Sequence, residues 1–291
     1  MNDDTTQTTG SAGQHTQSAS QAPTSAPAHV QISRDGKQVS LEYQLVAPER
    51  TERPLIVFLH EGLGCIDMWR DWPTRLCEAA NCRGVVFSRY GYGKSTPREK
   101  NEVRWPDYLH KETRETQAVL QTLGFDKAPL ILFGHSDGGS IALLYAAMYP
   151  ESVRAIAVAA PHIFVEDVTV QGIRDAVLAY NTTDLPQRLA RYHRDVDSVF
   201  HAWTDTWQQP EFLDWNIERE IERIRCPVLA MQGVDDQYGT LEQVRGIGRR
   251  VTNTRVVEIP ECGHSPHKDQ PEVVAKAFLQ LLDDLNLSAV S

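Results

Sequence analysis

Positive charge is in deficit in this chain: 29 lysines and arginines face 39 acidic residues, a formal net charge of −10. Nucleic acids and anionic membrane surfaces are bound through a basic face, so neither is an expected partner. Cysteine is scarce and scattered. Cys65, Cys77, Cys82, Cys226 and Cys262 form an odd set without C-x-x-C spacing. That argues against a disulfide framework, a zinc ribbon and a redox pair, and the expectation is reduced thiols in a cytoplasmic protein. Long apolar runs are missing as well, and none approaches the ~20 residues that cross a bilayer. Residues 1–28 are mostly Thr, Ser, Gln, Ala and Gly. They hold neither the apolar stretch of a secretory signal nor the arginines of a mitochondrial one. They are expected to form a disordered tail, because they bury too little apolar surface to offset ordering. No repeat of 20–50 residues is visible, which excludes a solenoid.

Hydrophobic residues make up 41% of the chain, enough for one substantial core. Two alternating stretches, 29–33 and 39–46, flank Asp35-Gly36, a hairpin signal. Beyond them the pattern changes to continuous apolar runs at 55–59, 84–88, 130–133, 153–160, 227–231 and 254–259. Such runs are expected of strands covered on both faces. Helical patterns at 69–80, 106–123, 136–149, 241–250 and 271–285 separate them. The alternation predicts an α/β fold with a doubly wound, mostly parallel sheet. Residues 161–225 break the rhythm with short helical stretches carrying Tyr180, Tyr192, Phe200, Trp203, Trp207, Phe212 and Trp215. They read as a helical cap inserted in a core made of 29–160 and 226–291.

Gly134-His135-Ser136-Asp137-Gly138 matches G-x-S-x-G. The match gains weight from its setting between an apolar strand and a helix, where a serine hydroxyl can stand exposed on a sharp turn. Ser136 is therefore the candidate nucleophile. A serine needs a histidine base, and that histidine needs a carboxylate to hold its tautomer. Past two later strands lie Gly233-Val234-Asp235-Asp236 and Glu261-Cys262-Gly263-His264-Ser265-Pro266-His267. Gly91-Tyr92-Gly93-Lys94-Ser95 ends like a phosphate-binding loop, but the glycine required five positions before Gly93 is Ser88.

These motifs, over roughly residues 38–286, resemble the α/β-hydrolase superfamily, in its lid-bearing branch of small esterases, proline iminopeptidases and C–C bond hydrolases. The resemblance implies Asp236 as the acid in preference to Asp235, and His264 as the base in preference to His267. It also implies that His60-Glu61-Gly62-Leu63-Gly64 is the loop supplying one oxyanion donor, the Gly62 amide, with the Asp137 amide as the other. Glu61 departs from the family, which usually has glycine there. Its carboxylate is read as repelling anionic substrates, recruiting a cation, or playing a structural role by pairing with a nearby arginine. His60 is expected to support the loop.

The reaction expected is acyl transfer to water, without a metal or organic cofactor, on a small apolar or aromatic carboxylic ester, thioester or lactone. Alternatives on the same machinery are C–C bond hydrolysis and cofactor-free perhydrolysis; a non-catalytic ligand receptor is a further reading. Substrate contacts are expected from Glu61, Trp69, His162, Trp203 and Trp207, with Met68 and Trp72 nearby.

Overall fold

The computed structural model describes residues 23–100, 102 and 104–287. Eight strands form one sheet: β1 (Ala28–Arg34), β2 (Lys37–Val46), β3 (Leu55–Leu59), β4 (Arg83–Phe87), β5 (Leu130–His135), β6 (Val153–Ala159), β7 (Val228–Gly233) and β8 (Thr254–Ile259). Their spatial order is β1-β2-β4-β3-β5-β6-β7-β8. The pairs β1–β2 and β2–β4 are antiparallel. From β4 to β8 every pair is parallel.

The hairpin forms at the predicted dipeptide. Arg34 pairs with Lys37 across a two-residue loop, and both Asp35 (φ 49°) and Gly36 (φ 78°) have the positive φ that a type I′ turn demands. The tail is shorter at its inner end than expected. The Ala47 N–H donates to the Pro23 carbonyl at 2.7 Å and the Ser25 N–H to the Leu45 carbonyl at 2.9 Å, so residues 23–25 run beside β2. Backbone pairing with β2, rather than apolar burial, orders this piece. Residues 1–22 lie outside the described residues.

The apolar runs bury both faces of the sheet, as side chains of a strand alternate. Leu55, Val57 and Leu59 enter one core, while Ile56 and Phe58 enter the other. The first core is covered by α2 (Tyr108–Thr122), α3 (Asp137–Met148) and α9 (Glu242–Arg250). The second is covered by α1 (Trp72–Ala79) and α11 (Pro271–Asp284). α3 is buried from Asp137 to Ala147, which explains its lack of a polar face. Between β6 and β7 the chain forms α4 (Asp167–Thr182), α5 (Leu185–Leu189), α6 (Val196–Gln208), α7 (Pro210–Leu213) and α8 (Glu218–Ile221).

Two helix starts differ from expectation. The stretch 69–80 divides into a 3-10 turn at Ile66–Trp69 and α1. Ser136 stands outside α3 because its φ of 53° is incompatible with a right-handed helix. Among the described residues, no helix is long and apolar enough to cross a membrane.

Candidate active site

The carboxyl ends of the parallel strands bring the candidate residues together, as open α/β sheets do for ligand sites. β5 ends at His135, and the chain turns sharply at Ser136 into α3. A positive φ at a non-glycine residue costs about 1–3 kcal/mol, and the surroundings impose it. Gly138 makes the turn possible: a Cβ there would meet the Leu59 carbonyl oxygen at 1.9 Å. The helix is thereby packed against the end of β3.

Ser136 Oγ lies 2.9 Å from His264 Nε2. His264 Nδ1 lies 2.9 and 3.0 Å from the two carboxylate oxygens of Asp236. The carboxylate accepts from Nδ1–H, which leaves the Nε2 lone pair to accept the serine O–H. Burial pushes the Asp236 carboxyl up, but the hydrogen bond and charge of His264, with the Tyr238 N–H, outweigh it and hold it below the ordinary carboxylate value. The two rivals lie elsewhere. Asp235 is exposed. His267 is buried beside Trp69, with ring centroids 4.9 Å apart.

The Asp137 amide, first of α3, has no intrahelical partner. It and Gly62 border the same cavity as Ser136 and His264. Buried polar side chains hold the Gly62 loop from behind. His60 donates from Nδ1 to the Glu61 carbonyl (2.8 Å) and accepts the Arg89 N–H on Nε2 (3.1 Å). Burial, and then the neighbouring Arg89, keep this imidazole well below its usual pKa and therefore neutral. Arg89 Nη2 donates to the carbonyls of Glu61 (2.8 Å) and His60 (3.2 Å), and its other nitrogen pairs with Glu112. His60 thus supports the loop, as expected.

The cavity holds about 240 Å³. Glu61, Leu63, Met68, His162, Thr169, Ile173, Leu185, Leu189, Trp203, Trp207 and Tyr238 complete its wall. Of the five residues expected to contact substrate, Glu61, His162, Trp203 and Trp207 border this cavity. His162 donates from Nε2 to the Tyr238 carbonyl at 3.0 Å, and burial, with His264 beside it, holds its pKa down. Trp207 donates to the Tyr108 hydroxyl (3.0 Å), which donates to Asp137 (3.1 Å). This chain couples α6 to the residue after Ser136.

Trp69 is a correction. It does not border the cavity but packs in the second core against Phe58 and Phe133, at 5.9 and 6.0 Å between ring centroids. Trp72 lies there too, 5.7 Å from Phe133. The break at Arg70 (φ 54°) between the 3-10 turn and α1 lets both indoles pack against Phe133, while Met68 borders the cavity. Leu63, Thr169, Ile173, Leu185, Leu189 and Tyr238 were missed. For Thr169 and Ile173 on α4 and Leu185 and Leu189 on α5 the only signal was apolar periodicity, which does not say which side covers a ligand; Leu63 and Tyr238 lie in loops with no periodic signal. A larger cleft of about 640 Å³ lies beyond α6, but its charged wall contains none of Ser136, Asp236 or His264.

Comparison with known proteins places the fold in a family. The chain is 28% identical to the serine hydrolase BPHL of Homo sapiens, over 67% of this chain and 69% of that protein. It is 32% identical to epoxide hydrolase 4 of Mus musculus, over 82% and 75%. Its fold matches the crystal structure of VinJ with a TM-score of 0.70 at 21% identity, over 90% of this chain and 100% of that one. A model of the alpha/beta hydrolase family matches residues 56–277, and the chain belongs to that family.

Proposed function

We propose that this protein is a serine hydrolase that cleaves small apolar or aromatic carboxylic esters through an acyl-enzyme. The observation that carries the reading is the Ser136–His264–Asp236 hydrogen-bond chain opening into a largely apolar cavity. Ser136 Oγ attacks the substrate carbonyl as His264 Nε2 takes its proton. The oxyanion rests on the amides of Gly62 and Asp137. His264 then protonates the leaving alcohol, activates a water, and the acid departs. Thioesters and lactones fit the same steps.

Two other chemistries fit less well. Epoxide opening through an alkyl-enzyme wants a carboxylate nucleophile, and position 136 is serine. A C–C bond hydrolase acting on a dienoate must receive a carboxylate, and neither arginine nor lysine is among the cavity residues. Five free, buried thiols suit a reducing compartment such as the cytoplasm.

The test is Ser136→Ala. Hydrolysis of p-nitrophenyl butyrate is expected to fall by about a millionfold, the order seen on removing such nucleophiles, with loss of fluorophosphonate labelling. Undiminished turnover in that variant refutes the reading.

A further inference from the structure

Glu61 is the residue that departs from the family pattern, and its carboxylate has two partners. One oxygen lies 3.5 Å from His135 Nδ1 and the other 3.7 Å from Lys268 Nζ on α10 (Pro266–Asp269). The side chain lies back against the loop: a Cβ on Gly64 would meet Glu61 Oε2 at 2.5 Å. His135, adjacent to Ser136, is 1% exposed. Its other nitrogen, Nε2, lies 2.6 Å from the main-chain carbonyl of His264.

The carbonyl can only accept, so Nε2 carries a hydrogen. Nδ1 has no hydrogen-bond partner among the described residues and faces the Glu61 carboxylate. A lone pair there would oppose an anion in a buried place. A hydrogen there makes a charge-assisted contact instead. We propose that half-buried Glu61 and buried His135 form a carboxylate–imidazolium pair that positions the Gly62 amide relative to His264.

The pair ties three segments that meet only in the folded chain: the loop after β3, the end of β5 and the loop after β8. The other charged or titratable groups facing His135 are His264 and His267, with ring centroids at 5.3 and 4.8 Å, and Lys268 beyond Glu61. His267 is kept neutral, its pKa held well down by burial and then by His135. Burial works against ionised Glu61, but His135 and Lys268 outweigh it and hold its pKa well below the ordinary range. Both members are positioning residues, since the geometry gives their charges to each other rather than to a substrate.

The proposal rests on the serine-hydrolase reading. Its test uses the full chain, with Glu61→Gln and His135→Gln, p-nitrophenyl butyrate as substrate and ¹⁵N-histidine NMR. In the unaltered protein at neutral pH the His135 ring is expected to carry hydrogen on both nitrogens, and Glu61→Gln is expected to remove the Nδ1 hydrogen. Glu61→Gln should lower kcat ten- to a hundredfold with KM within about twofold, the order expected when a catalytic group is displaced by a fraction of an ångström. The double variant should be no slower than the slower single one. A singly protonated His135 ring in the unaltered protein, or an unchanged kcat in Glu61→Gln, overturns the proposal. Failure of Ser136 to take up a fluorophosphonate would instead overturn the hydrolase reading, and the NMR result would stand apart from it.

Discussion

Trp203 of α6 lies directly on Gly62: a Cβ built on that glycine would come within 2.5 Å of the indole Cδ1 and 2.6 Å of Nε1. Any residue type has an amide to offer an oxyanion, so the glycine is needed here for the close approach of the roof. Gly62→Ala is expected to displace either the indole or the loop, and kcat should fall about ten- to a hundredfold. In a Trp203→Ala background the same substitution should cost only a few-fold, because the clash is gone. The check is a double-mutant cycle on kcat with p-nitrophenyl butyrate; equal losses in both backgrounds would show that Trp203 does not set the constraint.

Asp236→Asn tests the tautomer argument. The carboxylate accepts from His264 Nδ1 with both oxygens, while Gln232 and the Tyr238 amide donate to it at 3.1 and 2.9 Å. An asparagine held by those donors can present its own N–H to the imidazole and favour the wrong tautomer. A loss of about ten-thousandfold in kcat is expected, with the melting temperature little changed. The Asp236 pKa is held low, so the carboxylate stays ionised through mild acidity.

How much of this was legible beforehand depends on whether the signal is local. Ser136 lies in a five-residue motif between an apolar strand and a helix, so its signal is carried within one short stretch of chain. The choice of Asp236 and His264, in that order after their strands, comes from the family resemblance. Trp69 and Trp203 are equally aromatic, yet one fills the core under the sheet and the other roofs Gly62. Composition does not say which side of an element a side chain takes when both sides are buried. The contacts of Glu61 were out of reach for another reason. They join residues 61, 135 and 268, which meet only when the loop after β3, the end of β5 and α10 converge at the carboxyl end of the strands.

Glu112 is expected to matter for stability well away from the reacting atoms. It is buried between Arg89 and Arg104, accepting from the latter at 2.6 Å. Burial raises its pKa, but the two guanidiniums outweigh this and bring it to about 2. Glu112→Gln leaves the buried Arg89 and Arg104 with only the Asp137 carboxylate, 3.6 Å from Arg89, as counter-charge and should destabilise the fold by about 3–5 kcal/mol. The sign with pH follows from the depressed value. The stabilisation is fully present above the ordinary carboxylate range, near 4.5, and is lost as the pH falls towards 2. Urea unfolding between pH 6 and 2.5 should show a shallower acid loss in the variant than in the unaltered protein.

The size of the cavity limits the acyl group. About 240 Å³ is less than the roughly 300–1,000 Å³ common for drug-sized ligands. Acetate and butyrate p-nitrophenyl esters should therefore exceed the laurate ester in kcat/KM by at least about tenfold, since each methylene left outside forfeits about 0.8 kcal/mol of burial. Ile173 on α4 borders the cavity and is itself 1% exposed, so its volume limits the depth available. Ile173→Ala should move the optimum towards hexanoate and octanoate, and Ile173→Phe should move it towards acetate. The opposite directions separate a change of volume from a general loss of stability, which would lower all esters alike. A chain-length profile unmoved by both substitutions would mean that the acyl chain leaves Ser136 by another route, past Met68 or between α6 and the Gly62 loop.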